Sequence, residues 1–168
     1  MLEIIQSTTA IIAIIIAICT LRQSAKQIEQ STRPYISIYA RNINMGTPYK
    51  ILVIKNNGNS SAKINYLKSD YNLEELSYVP GMKPFSRISE SSFAPNQSQK
   101  CYILPPKSKD ITINFEISYK STSNKTYTEH TSIRLDAEKE NTYTRYNSKN
   151  NDMKYLICSI QQLAEDNL

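Results

Sequence analysis

Few side chains in this sequence are equipped for acid–base, nucleophilic or metal chemistry. The single histidine, His130, falls on the outward face of an expected strand, so a Ser-His-Asp or Cys-His arrangement could use only that position, and no nucleophile is marked beside it. Cys19, Cys101 and Cys158 have no metal-ligand spacing, and their odd number and wide separation are unlike a disulfide framework. A Cys101–Cys158 bridge stays open if the domain faces an oxidising space. Gly46, Gly58 and Gly81 are too dispersed to form a phosphate-cradling loop. Asp136, Glu138 and Glu140 alternate after the last expected strand; they could hold a cation weakly, but such a run reads first as a solvated connector, as does Glu74-Glu75. These residues point to a protein that is not an enzyme and that carries no cofactor and no metal.

Charge narrows the partners. The net charge is +5 and the sequence pI about 9.0, yet the lysines and arginines are scattered and no basic run interleaves with aromatics. Nucleic-acid binding is therefore not expected. A modest positive balance fits an ordinary solvated surface, or attraction to anionic headgroups at a membrane.

The element that must position everything else is the run from Leu2 to Leu21, LEIIQSTTAIIAIIIAICTL. About 20 residues, apolar for the most part, rising ~1.5 Å each span the ~30 Å hydrocarbon core of a bilayer. The run has an acidic start at Glu3, no basic leader and no small-x-small cleavage site, so it reads as a transmembrane helix and not as a signal peptide. Ile18 before Cys19 argues against a lipoprotein anchor. Arg22, Lys26 and Arg33 follow the run directly, and the positive-inside rule then puts the rest of the chain in the cytoplasm, on the inner side of a cell membrane. Gln6, Thr9, Ala13, Ala17 and Thr20 recur at helical spacing as a stripe of small or hydrogen-bonding residues, along which a second copy of the helix could pack.

The expected organisation is a transmembrane helix over 1–21, a juxtamembrane helical stalk over 22–33 ended by Pro34, a β-sandwich over 34–136, a connector over 137–150 and an amphipathic helix over 151–168. From Tyr35 the hydrophobic period changes from helical to two. Asn44 to Pro48 reads as a turn, Tyr49 to Lys55 as a strand apolar on both faces, and Asn56-Asn57-Gly58-Asn59 as a turn returning the chain along Ala62 to Leu67, a hairpin-like unit. Ser69 to Gln99 is irregular, with Leu73 to Val79 a short strand or turn and Cys101 to Leu104 a strand. Ile111 to Tyr119 is a half-buried strand whose odd-numbered residues face the core, and Tyr127 to Leu135 pairs back on it after a turn at Ser121 to Lys125. Asn151 is placed to cap a last helix whose apolar stripe is Met153, Leu156, Ile157, Ile160 and Leu163, a face for the domain, a partner or the bilayer surface to receive. Short strands without alternating helices make the chain mainly β, an antiparallel sandwich between two helical ends.

Several segments carry a family likeness: the stalk with Arg33-Pro34-Tyr35-Ile36, VIKNNGNSSAKI from Val53 to Ile64, FAPNQ from Phe93 to Gln97, FEISY from Phe115 to Tyr119 and KTYTE from Lys125 to Glu129. In this order, after a membrane helix, they resemble a widespread group of small bacterial membrane-anchored proteins. The resemblance implies an immunoglobulin-like cytoplasmic domain and brings no catalytic residues with it. The usual form has Gly where Asn96 stands, and Asn tolerates the same turn.

Two function classes fit these features. In the first, the sandwich is a protein-binding or ligand-sensing module at the membrane, with Tyr78, Met82, Phe85 and Phe93 as the candidate partner surface. In the second, the chain is a membrane-acting assembly, an effector or pore-like homo-oligomer formed through the helix stripe and regulated by the sandwich. The partners expected are thus the lipid bilayer, a protein of unknown identity, and further copies of the chain.

Overall fold

The computed structural model describes residues 1–45, 47–104, 111–137 and 150–165. Helix α1 (Leu2–Thr32) runs without interruption from the apolar segment through the stalk. It is long and apolar enough to cross a membrane, and none of its apolar window is buried by the rest of the chain. Thr8 and Thr20 return their hydroxyls to carbonyls of their own helix, so these polar groups do not interrupt it. The helix stops at Arg33, which is extended (φ −64°, ψ 150°) because Pro34 disfavours the helical conformation in the residue before it.

Beyond the helix lie two antiparallel sheets. The first has the order β1-β2-β5, from β1 (Ile36–Met45), β2 (Thr47–Asn56) and β5 (Ser98–Ile103). The second has the order β4-β3-β6-β7, from β3 (Ala62–Ser69), β4 (Ser92–Phe93), β6 (Thr112–Ser121) and β7 (Thr126–Arg134). Their facing sides share one buried cluster, to which Ile36, Leu52 and Ile54 contribute from the first sheet and Ile64, Phe115, Ile117 and Tyr119 from the second. The odd-numbered face of Ile111 to Tyr119 is buried throughout, as the period of two requires. A register shift between Ile64 and Tyr66 also buries Ser118, to which Asn65 donates (3.2 Å).

Three expectations change. β1 and β2 pair as far as Met45 and Thr47, so the strands extend well into the segment expected to be a turn. β2 and β3 do not form a hairpin: β2 lies between β1 and β5, β3 lies between β4 and β6, and Asn56 to Ser61 carries the chain from one sheet to the other. The physical reason is at Gly58, whose φ is not positive and which is not there to make a hairpin turn. It is there because the backbone of residues 33–35 passes against it. In the irregular stretch, Leu73–Leu76 is a 3-10 turn with both leucines buried, and β5 begins at Ser98, earlier than expected.

Helix α2 (Asn151–Glu165) packs on β1. Its N-terminal cap is Asn150, one residue before the expected Asn151; the Asn150 Oδ1 accepts from the N–H groups of Asp152 (2.9 Å) and Met153 (3.5 Å). The side buried against the domain centres on Cys158, 2% exposed. Ile51 and Val53 leave β2 on the face opposite the core and are buried as well, so α2 roofs this outer face of the first sheet. Met153, Leu156, Ile160 and Leu163, the larger part of the expected apolar stripe, are exposed, so the domain does not receive that stripe. Most of the connector 137–150, including Glu138 and Glu140, lies outside the described residues, as do the last three residues of the chain.

Candidate functional site

The segments that share the family likeness meet at one place, where α1 enters the sandwich. Asn56, fully buried, is its hub: its Oδ1 accepts from the N–H of Tyr35 (3.2 Å) and of Gly58 (3.0 Å), and its Nδ2 donates to the carbonyls of Ser60 (2.8 Å) and Phe93 (3.1 Å). Its backbone receives the N–H of Asn96 (2.8 Å) and donates to Gln97 O (3.0 Å). Asn96 accepts this turn at φ +63°, a left-handed conformation that asparagine tolerates better than most residues. Its side chain thus joins the crossing loop, β4 and the end of the stalk, and its backbone adds the turn that leads into β5.

Charged and aromatic groups brace the same joint. Glu29 accepts from Lys125 Nζ and from the Tyr127 hydroxyl (3.1 Å), and Asn59 Nδ2 donates to Ser31 O (2.8 Å). The Arg33 guanidinium lies over the rings of Tyr35 (5.8 Å) and Tyr127 (5.6 Å) and 4.0 Å from Glu129. Tyr127 stacks on Tyr119 with 5.7 Å between centroids. The buried Tyr119 hydroxyl is within reach of Glu129 Oε1 (3.2 Å) and Pro34 O (3.4 Å). Burial, with the Glu129 carboxylate beside it, pushes the Tyr119 phenol far above its ordinary range, so it remains a neutral donor. The hydrogen bond to Glu29 likewise holds the Lys125 ammonium above its usual range.

A groove of about 940 Å³ opens beside β5. Its walls are the segment Ser77–Ile88 and the strand edge Gln99–Tyr102; Tyr78, Met82 and Tyr102 supply exposed apolar surface, while Lys83, Arg87 and Lys100 supply charge. No carboxylate lines it among the described residues. The wall is anchored by Ile88, buried in the core, and by Phe85, which packs against the core with a left-handed φ of +57°. That conformation is costly for a bulky residue and persists because the surrounding packing holds it.

His130 lies at a second, smaller depression, of about 440 Å³, on the other sheet. It approaches Glu116 (4.0 Å), which already accepts from the Tyr66 hydroxyl (2.7 Å) and faces Lys68 (3.7 Å). Tyr66 first, then Lys68 and His130, hold the Glu116 carboxyl below its usual range. Asp70 nearby is held low by the backbone N–H of Asn114 (2.9 Å) and then by its side-chain amide (2.6 Å). Among the described residues no group of three or more His, Cys, Asp or Glu is placed to hold a metal ion.

The family described as a domain of unknown function, DUF8453, matches residues 2–139. The chain belongs to it. Comparison with curated proteins and with solved structures gave no match. The DUF8453 match takes in α1, the joint and both sheets as one unit, while α2 lies beyond it.

Within this DUF8453 chain the expected site residues separate. Phe93, in β4 beside β3, is fully buried in the core and cannot belong to a partner surface; its carbonyl accepts from Asn56 Nδ2. Tyr78, Met82 and the half-buried Phe85 do line one groove. Arg33, expected only as an orientation charge, is built into the joint, whereas Arg22 and Lys26 are exposed on the stalk. Gln6, Thr9, Ala13, Ala17 and Thr20 are exposed along α1, with Thr9 bonded to its own Gln6 carbonyl (2.9 Å). Cys19, Cys101 and Cys158 are free thiols. Sequence reasoning missed the cations Lys83, Arg87 and Lys100, since they come together only when β5 returns beside the irregular segment. It also missed Asn56, which looked like one turn residue among several.

Proposed function

We propose that this protein is a single-pass membrane protein whose sandwich is a non-catalytic binding module, held at a set distance from the bilayer on the cytoplasmic side. The observation that carries the reading is the joint. A buried amide, a close-approach glycine and a braced set of ionic and aromatic groups tie the end of an apolar helix to the sandwich. Such an arrangement suits a domain whose position relative to the membrane matters. Support for the cytoplasmic side is the placement of Arg22, Lys26 and Arg33 just after the apolar run. Support for an immunoglobulin-like sandwich is the strand order, in which β5 returns beside β2 and β6 returns beside β3.

The test uses full-length chain in native membranes with photocrosslinking residues at Met82 or at Ala13. Adducts with another protein from Met82 support a binding module. Products confined to multiples of this chain, formed from Ala13, would favour the membrane-acting assembly instead.

A further inference from the structure

We propose that the groove beside β5 takes an extended acidic peptide segment of a partner protein, added as a further strand to the open edge of the first sheet. This deepens the binding-module reading and rests on it. Among the described strands β5 is the edge of its sheet, with β2 as its one strand neighbour. Its register is set by the Asn56 N–H bond to Gln97 O: residues 97, 99, 101 and 103 direct their backbone groups toward β2, and residues 98, 100 and 102 direct theirs away. At the far end this outward edge is already used, by the Ser77–Ile103 bridge and by Leu104 N–H donating to Leu76 O (2.9 Å). Before that point the outward backbone groups of Ser98 and of the groove-lining Lys100 have no backbone partner among the described residues. An open edge of this kind is a template for another strand, and a peptide can supply it.

Charge selects the occupant. Lys100 alone could be read as the lysine that protects an edge from pairing. Lys83 and Arg87, however, come from the opposite wall and line the same groove, and none of the three has an ion-pair partner among the described residues. Three cations with no lining carboxylate repel a second copy of the same edge and attract a strand bearing Asp or Glu. Tyr78 and Tyr102 offer flat amphipathic surfaces to the peptide's alternate side chains. The anchored conformation of Phe85 fixes the wall before a ligand arrives, which limits the ordering cost of binding. The groove also begins past the joint on β5 and runs away from the stalk, which favours a peptide over a lipid headgroup.

The experiment uses full-length protein in nanodiscs and fluorescein-labelled nine-residue peptides alternating Glu with Val. The Glu–Val peptide is expected to bind, and its Lys–Val counterpart to bind at least ~10-fold more weakly, as charge matching on a basic surface requires. N-methylation of one alternate set of residues should abolish binding while methylation of the other set is tolerated, because an added strand presents only one set to β5. The charge reversals Lys83→Glu, Arg87→Glu and Lys100→Glu, combined, should remove Glu–Val binding and admit the Lys–Val peptide. Equal binding of the two peptides, or indifference to both methylation patterns, overturns the proposal. If Met82 crosslinks a cellular protein while the Glu–Val peptide fails to bind, the module reading stands and the acidic strand is excluded. If neither is seen, both fall.

Discussion

Gly58 and Gly81 separate two reasons for a glycine. Gly81 has φ +77° and open space around it, so alanine there meets only backbone strain, about 1 kcal/mol. Gly58 has an ordinary φ, but a Cβ would overlap the backbone of Arg33, Pro34 and Tyr35. That backbone has little room to retreat, because Tyr35 N–H is held by Asn56 and Asn57 N–H is held by Tyr35 O (2.8 Å). Gly58→Ala should therefore cost about 3 kcal/mol, the upper range for overpacking, in urea unfolding of the sandwich; a cost no larger than that of Gly81→Ala would contradict the close approach. Asn56→Ala strips partners from the Ser60 and Phe93 carbonyls and from two N–H groups, and a loss of at least ~3 kcal/mol is expected. Asp70 carries a pH dependence of definite sign. Its folded-state carboxyl is held low, so it adds stability above the ordinary carboxylate range and loses that contribution as pH falls through the lowered value. The stability difference between the parent and Asp70→Asn should be largest near pH 6 and shrink as pH falls toward 2.

At the scale of elements, α2 shows how far a sequence pattern reaches. The i, i+3, i+7 spacing of Met153, Leu156 and Ile160 announced the helix correctly, but this stripe is not the side that the domain buries. The face toward β1 is set by Cys158, which hydropathy patterns rank below leucine and isoleucine, and by the buried outer face of Ile51 and Val53, which no local window connects to residue 158. The strands were legible where one face is wet, as in Ile113 to Tyr119, because alternation then records burial directly. The pairing of β6 with β7 through the turn at Ser121 to Lys125 was legible too; that of β2 with β3 was misleading, because Asn56-Asn57-Gly58-Asn59 has hairpin composition but bridges two sheets, and only the passage of residues 33–35 against Gly58 explains its glycine. The groove was half legible for the same reason. Tyr78, Met82 and Phe85 are neighbours in sequence, whereas Lys100 joins them through β5. If Cys158 is the anchor of α2, Cys158→Asp should release the helix by burying an unpaired charge, and amide exchange in 152–163 should accelerate while the two sheets stay protected. Leu156→Asp, on the exposed side, should leave that protection in place.

For the molecule as a whole, the consequence of the joint is mechanical. α1 is one continuous helix up to Thr32, and the bonds from Glu29, Ser31, Arg33 and Pro34 to the sandwich leave no free linker between the stalk and the domain. With the apolar segment ending at Leu21, the stalk holds the joint about 17 Å beyond it, at ~1.5 Å per residue. Deleting Gln23 to Lys26 removes four residues, about 6 Å of helix, and turns the rest of the stalk and the sandwich by only about 40°, since each residue rotates the helix by ~100°. A rigid joint transmits that shortening to every part of the sandwich. Fluorophores on Ser123→Cys, in the turn at the joint, and on Val79→Cys, at the groove, in a chain whose native cysteines are alanine, can be ranged against acceptors at the bilayer surface. With α1 across the bilayer as proposed, both positions should approach the membrane by about 6 Å in the deletion variant, as the helix rise requires. If the joint label moves while the groove label keeps its distance, the sandwich swivels on its stalk, and the bracing of Glu29 by Lys125 and Tyr127 does not fix its height above the lipid.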